Sequence, residues 1–216
     1  KILIMKNKLT ILLGTCLSFA IIFYACNSAD TDKKSNVSEV TKADVNNASE
    51  PSVNYLSEGK RIAGEAQAAL GKNLAAAINA KGTVYAVEFC NVEAIPITDS
   101  MANILGASLK RVTDKMRNPE NQANEDELAF IKKMKGEMQT GKSPEPLVVE
   151  INGKMVGYYP IVTNALCVKC HGNKDIDIEQ PTFRKIKALY PSDKALGYSV
   201  NELRGMWKVE MNKKEN

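Results

Sequence analysis

Residues 147–171 read LVVEINGKMVGYYPIVTNALCVKCH, and this stretch decides the fold. LVVEI (147–151) and KMVGYYPIV (154–162) are rich in β-branched and aromatic residues, which favour strands. Asn152-Gly153 joins the two, and this is a preferred pair for a type I′ turn. The stretch therefore predicts an antiparallel hairpin.

A long helix is predicted upstream of the hairpin. Apolar residues recur every four positions at Ile62, Ala66, Leu70, Leu74 and Ile78, which places them on one helical face. Gly82 is a plausible stop for this helix. Residues 83–95 combine strand-forming residue types with a helical spacing, and we favour a helix that ends before Pro96.

Shorter elements complete the predicted domain. Apolar and β-branched residues at 104–112 predict a strand, and acidic residues in the first turn of 122–139 predict a helix. A short helix is expected near 182–190, and a strand pair or a bulged strand at 197–211. Together these elements predict an α+β fold, with a long N-terminal helix and helices packed on one antiparallel sheet.

The N-terminus has the features of a lipoprotein signal peptide. Residues 1–25 carry three lysines and no acidic residue, and an apolar run (9–25) ends at Ala25-Cys26. We expect a signal peptide over 1–25, lipidation of Cys26 and an extracytoplasmic, membrane-anchored location. An uncleaved membrane anchor is the alternative. Residues 26–54 are polar and predict a flexible tether, so the folded domain is assigned to 55–211.

Composition narrows the classes of partner. With 44% hydrophobic and 25% charged residues, the chain is typical of a globular protein. The formal net charge of +4 falls to +1 once the three lysines of residues 1–25 are removed. A net charge this small does not indicate the basic surface that binds nucleic acid.

The chemistry is predicted by Cys167-Val168-Lys169-Cys170-His171, the C-x-x-C-H arrangement of covalent haem c attachment. Two thiols at this spacing can each bond one edge of a haem, and His171 then supplies an axial nitrogen. A zinc site is disfavoured because four ligands are needed and the mature domain adds only Cys90. A thioredoxin-like motif or a disulfide would leave His171 unexplained.

His171 is the only histidine in the chain, so two axial histidines are impossible within it. The distal candidates are Cys90, a methionine, a lysine, water or an open position. Cys90 has no disulfide partner once the other cysteines are assigned, and it is either an inert core thiol or an axial thiolate.

Four stretches give a resemblance to a known family, the PAS-like single-haem c-type cytochrome domains. They are AVEFCNVEAIPI (86–97), GASLKRVTDKMRNPEN (106–121), YYPIVTNALCVKCHG (158–172) and ALGYSVNELRGMWKV (195–209). The resemblance implies a PAS-like antiparallel sheet flanked by helices, with His171 and Cys90 as axial ligands. It also implies that Arg117 lies near the haem and could pair with a propionate. The alternative is that Arg117 is an ordinary surface loop arginine. VTDKM (112–116) departs from the family pattern, so the loop there is expected to differ.

Two functions fit these expectations, and neither is enzymatic, because no second histidine can act as a distal base. The first is an extracytoplasmic redox-responsive or gas-responsive sensing module. In it, Cys90 leaves the iron on reduction, and a separate signalling partner is needed. The second is a membrane-tethered electron-transfer protein with a redox partner. Both carry one covalent haem c.

Overall fold

The computed structural model describes residues 54–214 of the 216-residue chain. The predicted signal peptide (1–25), the lipidation site Cys26 and the predicted tether up to residue 53 lie outside the described residues. No helix of residues 54–214 is both long enough and apolar enough to cross a membrane.

Four strands form one antiparallel sheet in the order β1-β4-β3-β2. The elements in chain order are α1 (Tyr55–Leu105), β1 (Ser108–Val112), a 3₁₀ turn (Pro119–Asn121), α2 (Glu125–Gln139), β2 (Leu147–Ile151), β3 (Lys154–Val162), α3 (Ala165–His171), α4 (Gln180–Leu189) and β4 (Leu203–Asn212). The predicted α+β, PAS-like class with a long N-terminal helix is confirmed.

The hairpin has the predicted bounds. Asn152 has φ of 51° and Gly153 has φ of 74°, so both central residues of the turn take the positive φ that a type I′ turn requires. Ile151 faces Lys154 across the turn, and the two strands stay in register as far as Leu147 and Tyr158. Local sequence alone therefore sets this part of the sheet.

The first half of α1 covers one face of the sheet. Ile62, Ala63 and Ala66 pack in one cluster with strand residues that include Tyr159 and Trp207. The hydroxyl of Tyr159 donates to the carbonyls at the start of α1, at 3.2 Å each. The small side chains of Ala63 and Ala66 let α1 lie close to the aromatic rings of the sheet.

Helix α2 covers the opposite face. Asn124 and Glu127 form a capping box at its N-terminus, and this fixes where the helix begins. Ile131 and Met134 are buried against residues of β1, β3 and β4 that alternate with those under α1. The sheet is thus flanked by a helix on each side.

The predicted helix end at Gly82 is confirmed, because the backbone leaves helical geometry there and a second helical segment of α1 begins directly after it. Lys81 (φ −145°, ψ 15°) and Gly82 (φ 77°, ψ −176°) leave helical geometry for two residues, and the helix then resumes. Val87 packs with Ile178 and Ile186 of the segment around α4, so tertiary contacts hold the second half.

The helix predicted for 83–95 is confirmed, but its predicted end before Pro96 is wrong. Pro96 lacks an N–H for the carbonyl of Val92, four residues earlier. Val92 is 64% exposed, so water can reach that carbonyl. The helix runs on to Leu105 and ends at Gly106, which has φ of 64°.

Two strand predictions are corrected at their ends. The strand predicted for 104–112 begins at Ser108, because the preceding residues belong to α1 and its cap. The region 197–211 contains one bulged strand, β4, where a strand pair was the other option. Leu203 pairs with Val162 and Gly205 pairs with Ile161, which leaves Arg204 as the extra residue of the bulge.

We predict opposite effects on stability for two glycine substitutions on α1. A Cβ added at Gly59 would collide with the ring and hydroxyl of Tyr159, whereas nothing lies within 4 Å of one added at Gly64. Gly64→Ala should raise the free energy of unfolding by about 1 kcal/mol through helix propensity. Gly59→Ala should lower it by about 1–3 kcal/mol through overpacking.

Urea unfolding of both variants measures the difference between them. Equal effects of the two substitutions would show that α1 does not pack against Tyr159 as described.

Candidate functional site

One cavity brings together all five residues that the sequence predicted for the site. It is lined by Cys90 of α1, Arg117 of the loop after β1, and Cys167, Cys170 and His171 of α3. Its empty volume is about 1390 Å³, including solvent at its open mouth. The remaining wall is largely apolar, with residues such as Leu70, Leu74, Ile78, Phe89, Ile95, Ile161 and Leu166.

The motif lies on a short helix with a strong N-terminal cap. The side chain of Asn164 accepts hydrogen bonds from the N–H groups of Leu166 (2.9 Å) and Cys167 (3.2 Å). The thiol of Cys167 also donates to this side chain at 3.3 Å. The cap therefore fixes the first motif cysteine as well as the start of the helix.

Gly172 closes α3. Its φ of −74° is ordinary. A Cβ there would lie 2.6 Å from both the Asp177 side chain and the Val168 carbonyl. Glycine is thus required by the close approach of the following loop, directly after the motif histidine.

The imidazole of His171 has a defined hydrogen-bond partner. Its Nδ1 lies 2.9 Å from the carbonyl oxygen of Ala195. Burial holds the pKa of His171 well below its ordinary value, and the positive charges of Arg117 and Arg204 lower it further. The ring is therefore neutral, Nδ1 carries the proton because a carbonyl can only accept, and Nε2 keeps a free lone pair for a ligand.

Arg117 is held by a buried ion pair with Asp193. The Arg117 guanidinium donates to the Asp193 carboxylate at 3.1 and 3.2 Å, and also to the Cys170 carbonyl at 2.7 Å. The Asp193 side chain is completely buried, and it accepts from the N–H of Ala195 at 2.9 Å. The same ion pair thus fixes the motif helix and the carbonyl that orients His171. The predicted pairing of Arg117 with a propionate stays a prediction.

The cysteines of the cavity are free thiols. Burial raises the pKa of Cys170 to about 11. Burial also raises the pKa of Cys90, and the charges of Arg111 and Arg117 oppose that rise. Burial outweighs these two charges, so Cys90 is a neutral thiol at physiological pH.

Cys90 is better placed than the other protein candidates for a distal ligand. It lines the cavity, whereas none of the methionines or lysines in the part of the chain that the structure describes does so. Met134, Met206 and Met211 are buried in the two clusters on the faces of the sheet.

Three charged residues of the site were missed by sequence reasoning. Arg111 and Arg204 line the cavity, and Asp193 lies behind it. Arg111 carried a usable signal, because strand alternation puts it on the same face as buried Leu109. The role of Arg204 depends on the bulge and that of Asp193 on a long-range contact, and neither has a local signature.

The residues of the cavity fit a haem. Within residues 54–214, no three side chains of the His, Cys, Asp or Glu types are close enough to share one metal ion. The motif thiols and the imidazole of His171 all line the cavity. The apolar wall suits a macrocycle, and the arginines suit its acidic groups.

Comparison with known proteins identifies the family. The family model described as Tll0287-like: Tll0287 matches residues 27–212, so the chain belongs to the Tll0287-like family, and the family resemblance expected from the sequence is confirmed. Among solved structures, the chain is similar to one titled "Crystal structure of the cyanobacterial heme-protein Tll0287". The two share 23% identity over 56% of this chain and 73% of that chain, with a TM-score of 0.45. No curated protein matches the chain.

We predict that Asp193→Ala lowers the free energy of unfolding by about 3–5 kcal/mol, because it leaves the Arg117 guanidinium buried without its counter-ion. Asp175→Ala is the matched control. It removes a carboxylate that is 66% exposed and pairs only with neighbouring Lys174, so its effect should stay below about 1 kcal/mol.

Chemical denaturation of both variants measures the two free energies. If the Asp193 variant were as stable as the control, the buried ion pair would not organise the site.

Proposed function

We propose that this member of the Tll0287-like family binds one covalent haem c in the cavity and acts as an extracytoplasmic redox-responsive or gas-responsive sensing module. One observation carries the proposal: the motif thiols, the imidazole of His171 and the thiol of Cys90 all line a single apolar cavity. The name of the similar solved protein, a cyanobacterial heme-protein, supports the cofactor.

Haem would supply a one-electron redox centre when bound. The thiols of Cys167 and Cys170 would each add across one vinyl double bond, so that the sulfur and its proton both end on the haem. His171 would offer Nε2 as an axial ligand, held in the correct tautomer by the Ala195 carbonyl. These roles use both cysteines and the histidine of the motif.

Cys90 would be the redox-sensitive group. Burial favours its neutral thiol, so it remains a thiolate only while a positive charge faces it. Oxidised iron offers more positive charge than reduced iron. Cys90 would therefore stay deprotonated in the oxidised protein and take up a proton on reduction, which frees a position for another ligand.

The position of Cys90 favours sensing over electron transfer. Cys90 lies in the second half of α1, beyond the kink at Lys81 and Gly82. A change in its bonding therefore acts on the longest helix of the domain, whose first half packs on the sheet. A membrane-tethered electron-transfer protein is the alternative, and it requires an axial ligand that stays bound in both redox states.

A signal peptide followed by Cys26 supports an extracytoplasmic lipoprotein, because haem c is attached outside the cytoplasm. We propose no enzymatic activity, since the chain has no second histidine to act as a distal base. A separate protein partner would receive the redox signal.

We predict two spectral results for the full chain, made in a host that attaches haem c. The wild-type protein should keep its haem under denaturing conditions, and a Cys167→Ser/Cys170→Ser variant should lose it. Cys90→Ala should keep the covalent haem but lose the thiolate features of the oxidised spectrum. It should also have a higher reduction potential, because a negative ligand has been removed.

Met101→Leu is the matched control for Cys90→Ala, since Met101 packs in the core and does not line the cavity. If the oxidised spectrum of Cys90→Ala were identical to that of the wild-type protein, the sensing model would be rejected. A spectrum with the same ligands in both redox states would favour the electron carrier. No covalent haem at all, in a host that matures a control cytochrome, would reject the haem proposal.

A further inference from the structure

The cavity has an unbalanced positive charge. Three arginines line it, and its wall contains no lysine, aspartate or glutamate. Arg117 is neutralised by the buried carboxylate of Asp193. The two remaining arginines, Arg111 and Arg204, form no ion pair with an acidic side chain among residues 54–214. The cavity therefore presents two uncompensated charges.

Arg111 is held in place by an aromatic ring instead of an acid. It lies on β1 opposite Trp207 of β4, and its guanidinium carbon is 5.9 Å from the centre of the Trp207 ring. In the described part of the chain, its side chain has no hydrogen-bond partner within the protein. Burial lowers the pKa of Arg111, and the nearby positive charge of Arg204 lowers it further. The fold thus holds the charged guanidinium of Arg111 in a buried position, where the loss of water destabilises the charge.

Arg204 reaches the cavity through the bulge of β4. As the residue skipped in the pairing with β3, it escapes strict strand alternation, and bulges commonly re-aim side chains beside functional sites. Its Nη1 donates to the Thr113 hydroxyl (2.9 Å) and the Lys115 carbonyl (3.1 Å). Its Nε is buried and has no partner in the described residues. A buried donor without a partner costs about 1–3 kcal/mol.

We propose that Arg111 and Arg204 are the carboxylate-binding residues of the cavity and pair with the two propionate groups of haem. This inference rests on the haem proposal and adds the residues that bind the acidic groups. Haem carries two propionates, and the cavity carries two uncompensated guanidinium groups. Guanidinium–carboxylate pairs are charge-assisted hydrogen bonds, so occupation of the cavity would satisfy both arginines.

The sequence-based expectation gave the propionate-binding role to Arg117 instead. The charge of Arg117 is already balanced by the buried carboxylate of Asp193, which weakens its attraction for a further carboxylate. A competing role for Arg111 is to stabilise the thiolate of Cys90, because its charge opposes the rise in the pKa of that thiol. A test must therefore respond to the propionates themselves.

The test compares ferric haem with its dimethyl ester, in which both propionates are uncharged. The full chain is made without haem attachment, and binding of each ligand is titrated by absorbance. Wild type should prefer the diacid by at least about tenfold, the expected size of one charge-assisted hydrogen bond. The preference should fall in Arg111→Gln and Arg204→Gln, and it should remain partly in the lysine variants Arg111→Lys and Arg204→Lys. Arg184→Gln, at an exposed position of α4, is the control and should keep it.

Each outcome decides the inference. A preference that survives intact in both glutamine variants, or is absent from wild type, overturns the arginine assignment and leaves haem binding standing. If the glutamine variants bind neither ligand, the lysine variants decide. A partial preference for the diacid in the lysine variants supports the assignment, and the absence of any preference overturns it. Wild type that binds neither ligand rejects the proposed function together with the inference. Because the preference is a ratio within one protein, a change in the folded fraction does not imitate it.

Discussion

The buried ion pair between Arg117 and Asp193 is the interaction on which the rest of the site depends. It joins the loop after β1 to the segment after α4, and Arg117 also binds the carbonyl of Cys170 in the motif helix. Asp193 in turn fixes Ala195, whose carbonyl orients His171. A carboxylate this deeply buried is stable only with its partner, so the three segments hold one arrangement together.

The sheet and the long helix deliver the remaining residues to the same cavity. Strand alternation separates the residues under α1 from those under α2, and the bulge at Arg204 allows one more side chain to reach the cavity. The break at Lys81 and Gly82 divides α1 into two helical segments with different roles. Its first half packs on the sheet, and its second half carries Cys90 to the motif helix and packs against α4.

Local chemistry explains which features the sequence could predict. The Asn152-Gly153 turn, the strands beside it and the C-x-x-C-H spacing depend on neighbouring residues, and they are readable from the sequence. The ends of α1 depend on contacts made elsewhere. Gly82 does mark a break in the helix, as its residue type predicts, whereas Pro96 resembles a helix end and yet the helix continues to Leu105. Asp193 and Arg204 act through partners 76 and 91 residues away, which no short pattern records.

The charges around Cys90 connect the two proposals. Burial favours the neutral thiol, and among the charged side chains Arg111 has the largest opposing effect on the pKa of Cys90. If Arg111 pairs with a propionate, its charge is cancelled and no longer supports a thiolate. Cys90 would then depend mainly on the iron for a positive partner, since the remaining cation, Arg117, is paired with Asp193. Loss of one positive charge at the iron would act on a group with little other electrostatic support, which is the condition for a ligand that dissociates on reduction. The carboxylate-binding role of Arg111 would therefore make the switch at Cys90 more sensitive.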